Sequence, residues 1–330
     1  MYRLSRIISG ILGLVFCALA PGVIQAQAQP QPQYPNKPLR MLVGFTPGGT
    51  TDVIGRLVAQ RLGNLLGQTV VMDNRPGAGA NIAAEIAAKS PSDGYTLLIV
   101  NPGLAVSATA YNNLKYDAMK DLAPVSQVAA MAHVLIVYPA LAVKSVKDLI
   151  ALAKSRPGQL NFSSGGAGNS DHFAGELFKA MAGIDIVHVP YKGGPQAAAD
   201  VASGQVAMYF PGLSTAWLLT KIGKVRALAV TTAKRSSFEP DLPTMSEAGL
   251  KGYEHVLWNS LFMPAGTPRE IIARLNADVQ KVLGALDLRE RFAAIGAEPV
   301  GSSPEELGTM LKSEIEKYGK IVRTIGLRID

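Results

Sequence analysis

The sequence predicts an α/β protein of two lobes, each built on a mainly parallel sheet with helices on both faces. Three observations lead there. Apolar runs of strand length alternate with segments at helical spacing through residues 39–231. Two of those strands, one in each half, run into a glycine pair and then an aspartate that opens an amphipathic helix. And 330 residues, 48% hydrophobic, can supply a core divided between two lobes.

The first glycine loop follows Leu39-Arg40-Met41-Leu42-Val43-Gly44-Phe45 and reads Thr46-Pro47-Gly48-Gly49-Thr50-Thr51-Asp52. The second follows Gln159-Leu160-Asn161-Phe162 and reads Ser163-Ser164-Gly165-Gly166-Ala167-Gly168-Asn169-Ser170-Asp171. Glycine lets backbone approach a ligand closely, and a helix start offers unpaired N–H groups with partial positive charge. In open α/β sheets ligands bind beyond the carboxyl ends of the strands, where both loops would lie. Facing each other, they would hold a small anion between the lobes. Asp52 and Asp171 read as N-caps. Asp171 should either turn away from the cleft or select a ligand with an amine or hydroxyl.

The remaining elements follow in order. Ile54, Leu57, Val58, Arg61, Leu62 and Leu65 mark a helix over 53–66, then Val70 to Met72 a short strand. A small-residue helix covers 80–89 and stops at Ser90-Pro91-Ser92-Asp93-Gly94. Strands are expected at 95–100 and 134–137, and a helix at 145–155 ending at Pro157-Gly158. Helices at 171–181, 195–203 and 213–221 alternate with strands at 185–189, 205–210 and 225–231. Trp258 to Met263 reads as one more strand. The tail is helical over 268–285 and 304–324, with Thr267-Pro268 and Ser303-Pro304 as starts.

The N-terminus has the order of a secretory leader. Arg3 and Arg6 precede an apolar run from Ile7 to Ala20, Pro21-Gly22 breaks it, and small residues stand at Ala26 and Ala28. A run of about 14 residues is short of the roughly 20 needed to span a bilayer. Cleavage after Ala26 or Ala28 removes the one cysteine, Cys17. The mature chain is then expected to be soluble and to lack thiol catalysis, thiolate metal sites and disulfides. Gln- and Pro-rich residues 27–38 read as a flexible lead-in. Net charge is +7, and about +5 without Arg3 and Arg6. The basic residues are scattered, which argues against nucleic-acid binding and is compatible with small anions.

Several chemistries lack their residues. The Gly48-Gly49 loop has no Lys-Ser/Thr pair for a P-loop. Gly77-Ala78-Gly79-Ala80-Asn81 lacks a third glycine and stands apart from its strand, so no dinucleotide cofactor is expected. His133, His172, His188 and His255 show no metal-ligand spacing and read as packing or hydrogen-bonding residues. Gly212-Leu213-Ser214-Thr215-Ala216 misses the last glycine of a nucleophile elbow. Glu176 and Asp185 are too loosely placed for an acid–base pair. No catalytic residue, metal or cofactor is assigned.

A longer series of motifs carries a family resemblance. It comprises Tyr34-Pro35-Asn36-Lys37-Pro38, Gly48-Gly49-Thr50-Thr51-Asp52, Asn74-Arg75-Pro76-Gly77-Ala78-Gly79 and Ser92-Asp93-Gly94-Tyr95-Thr96-Leu97. His172-Phe173-Ala174-Gly175-Glu176-Leu177, Val189-Pro190-Tyr191-Lys192-Gly193 and Arg226-Ala227-Leu228-Ala229-Val230 continue it. Pro243-Thr244-Met245-Ser246-Glu247-Ala248-Gly249 and Pro264-Ala265-Gly266-Thr267-Pro268 complete it. In this order the chain resembles the Bug family, the TctC-like solute-binding receptors of tripartite tricarboxylate transporters.

The resemblance implies a periplasmic, monomeric binding protein of the type II, Venus flytrap kind that delivers a small organic carboxylate to a membrane permease. It divides the chain into a leader (1–28), lobe I in two parts (29–131 and 236–330) and lobe II (132–235). It also implies a ligand carboxylate held by main-chain N–H groups and water in the two loops. On this sequence that assigns Phe45, Thr46, Gly48, Gly49, Thr50 and Asp52, with Ser164, Gly165, Gly166, Asn169 and Ser170 opposite. Asn101 to Ser107, Tyr191-Lys192 and Phe210 to Ser214, Leu213 among them, should line the same cleft. Three departures stand out. Thr46-Pro47 replaces two alanines and removes the N–H of Pro47. Ala207 and Pro211 stand where relatives are acidic, which favours a plain carboxylate over an amino acid. Asn259-Ser260 follows Trp258 in place of Trp-x-Gly. A sensor subunit presenting the liganded form to a signalling partner, and an exported hydrolase or isomerase, are the alternatives.

Overall fold

A computed structural model describes residues 34–329; the expected leader, Cys17 and most of the lead-in lie outside the described residues. The chain opens with strand β1 (Leu39–Val43), helix α1 (Thr50–Leu66) and β2 (Val70–Asn74). Met41, Leu42 and Val43 are all fully buried, as expected of a strand covered on both faces. On α1, Ile54, Val58 and Leu62 fall on one buried face, and Gly67 ends the helix in the left-handed conformation at φ 66°. A single 3-10 turn (Ala78–Ala80) leads to α2 (Asn81–Ala88), then β3 (Thr96–Val100), α3 (Gly103–Ala110) and the long β4 (Leu122–Ala132).

After His133 the chain enters the second half with β5 (Val134–Val137), α4 (Val146–Ser155), β6 (Asn161–Ser164) and α5 (Ser170–Ala182). It goes on through β7 (Val187–Pro190), α6 (Gly194–Ala202), β8 (Met208–Tyr209), α7 (Leu213–Lys221) and β9 (Arg226–Val230). It then returns through β10 (Val256–Pro264), α8 (Arg269–Gly284), α9 (Leu286–Ala293), β11 (Glu298–Pro299) and α10 (Pro304–Ile325). Ser303 caps α10 in a reciprocal capping box with Glu306.

These strands form two sheets, ordered β11-β4-β10-β3-β1-β2 and β7-β6-β8-β5-β9. The two-lobed α/β architecture expected from the alternation is present, but both sheets are mixed. Parallel pairing holds for β1 with β2 and β3, and for β6 with β7 and β8. The antiparallel pairs involve β4, β5, β10 and β11. Strands that pass between sheets and return must run against their neighbours. The passages are laced together, with Thr231 donating its N–H to the His133 carbonyl at 3.0 Å and His255 donating to the Thr231 carbonyl at 2.9 Å.

Four helices and strands went unread in the sequence: α3, β4, α9 and the two-residue β11. Helix α3 is buried nearly all round, so it carries no amphipathic period. Pro124 and Ser126-Gln127 interrupt the strand pattern of β4, and α9 follows α8 after only Ala285.

Close packing of α5 on β6 gives a direct test. A Cβ added to Gly175 would lie 2.2 Å from the Phe162 ring. Helix propensity alone favours Gly→Ala by roughly 1 kcal/mol, but overpacking a core costs about 1–3 kcal/mol. Gly175→Ala is therefore expected to lower the urea midpoint, and a raised midpoint would show that this contact yields freely.

Candidate functional site

Four helices begin around one cavity bounded by both halves of the molecule. Helix α1 brings its cap Gly49 with Thr50 and Thr51; α5 brings its cap Asn169 with Asp171; α6 starts at Gly194; α7 brings its cap Gly212 with Thr215. Phe45, Asn101, His133, Tyr209 and Leu257 complete the wall. The first N–H groups of a helix have no partner within it, so each start contributes donors and a positive field.

The volume is about 40 Å³, room for little more than a water molecule. The halves are closed on each other here. Asn101 Nδ2 donates to Asn169 Oδ1 at 2.9 Å, and the Tyr111 hydroxyl donates to the Ala167 carbonyl at 2.8 Å. Gly79, at φ 62°, passes so near that an added Cβ would stand 2.4 Å from the Ala167 carbonyl oxygen. A larger cavity of about 380 Å³ elsewhere is walled by one face of α7 and by β9, with no converging helix starts.

A chain with this geometry has clear relatives. The family model described as "Tripartite tricarboxylate transporter family receptor" matches residues 54–327. Protein BugT of Bordetella pertussis is 37% identical over 298 residues, 90% of this chain and 91% of that protein. The chain belongs to this receptor family. Among solved structures, an R. palustris protein with adipate is 40% identical with a TM-score of 0.86, over 89% of this chain and 98% of that one. MatC from Rhodopseudomonas palustris with bound malate is 30% identical with a TM-score of 0.84, over 88% of this chain and 100% of that one.

Within this receptor chain the two glycine loops follow one plan, and it differs from simple N-capping by aspartate. Gly49 and Asn169 occupy the cap positions, while Asp52 and Asp171 lie inside the first turn and reach back. Asp52 Oδ2 accepts the Gly48 N–H at 2.9 Å, and Asp171 Oδ2 accepts the Gly165 N–H at 2.8 Å. Two of the amides expected to face the ligand are thus bound to carboxylates of the chain itself. The loops then diverge. In the first, the N–H groups of Thr50 and Thr51 have no hydrogen-bond partner among the described residues. In the second, Gly166 donates to Ser164 Oγ, Gly168 to His172 Nδ1, Asn169 to the Gly166 carbonyl and Ser170 to Asn169 Oδ1.

The aspartates diverge as well. Burial pushes Asp52 up, but the Arg56 guanidinium at 2.8 Å, the Gly48 N–H and the Asn74 amide outweigh it and hold the carboxyl below its usual range. Asp171 has no cation: burial raises it to about 6, against the pull of Gly165 N–H and the Tyr209 hydroxyl at 2.8 Å. Asp171 is on the cavity wall, so it does not turn away from the cleft, the first of the two alternatives expected for it.

Of the expected site residues, Phe45, Gly49, Thr50, Asn101 and Asn169 form the wall. Gly48, Asp52, Ser164, Gly165, Gly166 and Ser170 stand off the wall and shape the loops. Ser164 Oγ pairs with His188 Nε2 at 2.6 Å. Thr46 lies against Gly193, its buried hydroxyl without a partner. The remaining five lie elsewhere. Ser107 is buried and accepts from Asn81 Nδ2; Phe210 packs on Phe178 in the core; Leu213 is core and walls the larger cavity. Tyr191 donates its hydroxyl to Asp200, and Lys192 is exposed.

Sequence reasoning missed Thr51, His133, Gly194, Tyr209, Thr215 and Leu257 as wall residues, while Gly212, within the expected Phe210–Ser214 stretch, is on the wall. Gly194 carries the same strand–glycine–helix signal as the two loops and was legible; the others depend on tertiary contacts. His172, His188 and His255 pack and hydrogen-bond as expected, with His172 and His188 stacked at 3.8 Å. No cluster of three metal-binding side chains occurs among the described residues.

All four histidines are held neutral by burial: His133 and His188 are lowered to about 4, His172 and His255 well below 6.5. Unfolded, each binds a proton below pH 6.5 that the folded chain refuses, so stability rises with pH from about 4 to 6.5. Raised Asp171 and Glu176 act the other way, since the folded chain keeps their protons longer. With four histidines on one side, denaturant midpoints should be higher at pH 7 than at pH 4.5, and His188→Gln should shrink the difference. A flat profile would contradict this balance.

Proposed function

We propose that this protein is a periplasmic receptor that closes over a small organic carboxylate and delivers it to the permease of a tripartite tricarboxylate transporter. The observation that carries the reading is the convergence of four helix starts on one cavity. Each start favours an anion by roughly 0.3–1 kcal/mol, and up to about 2 when partly buried. Micromolar affinity needs about 8 kcal/mol. Two starts fall short of that; four, with hydrogen bonds from Thr50 and Thr51 and ordered water, come within reach. The relatives solved with adipate and malate support a ligand of that class.

The two loops then have different tasks. The ligand carboxylate sits at the start of α1, where Arg56 has neutralised Asp52 and the amides of Thr50 and Thr51 are open. The end near Asp171 takes a group that tolerates a carboxyl of raised pKa, such as a hydroxyl or a protonated acid. Because the cavity is too small for such a ligand, residues 34–131 with 236–329 open away from 132–235 to admit it. A hydrolase reading has one feature in its favour, Ser170 Oγ 2.8 Å from His133 Nε2. Ser170, however, is fully buried and off the cavity wall, so no substrate carbonyl reaches it.

Proline suits the first position of a helix, and extended Gly49 (ψ 163°) suits the residue before it. Thr50→Pro therefore removes one open N–H and leaves α1 intact. Calorimetry with a carboxylate panel including adipate and malate should show about 10- to 100-fold weaker binding for Thr50→Pro and near wild-type binding for Thr50→Val. Equal affinities for all three proteins would remove α1 from the site. X-ray scattering should show a smaller radius of gyration with saturating ligand, and identical profiles would argue against closure.

A further inference from the structure

Ser170 lies between two stacked histidines, and the protons of this cluster follow by elimination. The rings of His133 and His255 stand 5.3 Å apart and nearly parallel. His255 Nε2 is 3.1 Å from the Ser170 carbonyl oxygen and 2.8 Å from Ser170 Oγ. A carbonyl only accepts, so this nitrogen carries the proton. The other nitrogen, Nδ1, then accepts from the Tyr318 hydroxyl at 3.0 Å. Ser170 Oγ receives the His255 N–H, and His133 Nε2 at 2.8 Å is the one acceptor left for its own buried hydrogen among the described residues. Burial keeps His133 neutral, and its single ring proton is left on Nδ1. Nδ1 is buried without a hydrogen-bond partner among the described residues, and His133 is a wall residue of the cavity. The Phe210 and Pro211 carbonyls lie close enough to the ring to favour its protonation, but neither meets hydrogen-bond geometry with Nδ1.

We propose that His133 is a specificity-determining residue of the site: its Nδ1–H donates to an acceptor oxygen of the ligand, and Tyr318, His255 and Ser170 act as positioning residues that hold that tautomer. The inference rests on the carboxylate-receptor reading above. A ring fixed as a donor offers nothing to an ammonium group, whereas a carboxylate or carbonyl oxygen completes its hydrogen bonding. His133 also joins β4 to β5, and His255 precedes β10, so the contact would fasten the ligand to the segments linking the two sheets.

His133→Asn places an amide near the position of Nδ1 and gives up the Ser170 contact. His133→Gln reaches Ser170 and gives up the donor at the cavity. With adipate and malate as probes, calorimetry should show His133→Gln weaker than wild type by about tenfold or more, and His133→Asn within about threefold. The reverse order marks a purely structural role and overturns the proposal. If Thr50→Pro loses binding while His133→Gln does not, the receptor reading stands and this inference falls. If the wild type binds no carboxylate of the panel, both fall. Ring ¹⁵N shifts of the free protein at pH 7 should show His133 protonated at Nδ1 and His255 at Nε2. Protonation of His133 at Nε2 would overturn the relay.

Discussion

A helix that starts in a buried place must find partners for its first N–H groups, and this protein starts four of them around one cavity. Much of the local chemistry answers that constraint. Asp52 and Asp171 turn back to take the amides of Gly48 and Gly165, and the second loop satisfies itself through Ser164, His172 and Asn169. The amides of Thr50 and Thr51 keep no such partner, which makes the start of α1 the open end of the arrangement. A bound anion would complete there what side chains complete elsewhere.

The constraint also explains why two loops of one pattern differ electrically. Each spends a carboxylate on its glycine, and a buried carboxylate must itself be balanced. On the first side Arg56 and Asn74 do so, leaving a locally neutral platform at a positive helix start. On the second side only neutral donors reach Asp171, so the group keeps its proton to higher pH. The two helix starts therefore present unlike electrostatic surroundings to the cavity.

The strands that pass between the sheets share residues with the site. Thr231 ties His133 to His255, and the same histidines enclose Ser170 at the start of α5. Movement of one half against the other would therefore be felt at the cavity wall, through hydrogen bonds that are already complete.

Elements with a regular period were legible from the residues alone. The buried runs of β1 and β3, the amphipathic faces of α1 and α10, and the alternation that implies two sheets all come from local spacing. The two glycine loops were legible as strand-to-helix turns in the same way, because strand, glycine and helix start are consecutive in the chain. Most of what escaped had no local signature. Helix α3 is buried nearly all round, β4 is interrupted by Pro124, and His133 becomes a wall residue only because β4 and β5 meet there. Whether an amide is open or already bound depended on tertiary contacts too. Asp52 and Asp171 look alike in sequence, and only the folded neighbours, Arg56 with Asn74 for one and Tyr209 for the other, decide their charge. Chain-local order sets where helices begin; the meeting of distant segments sets what their beginnings are free to hold.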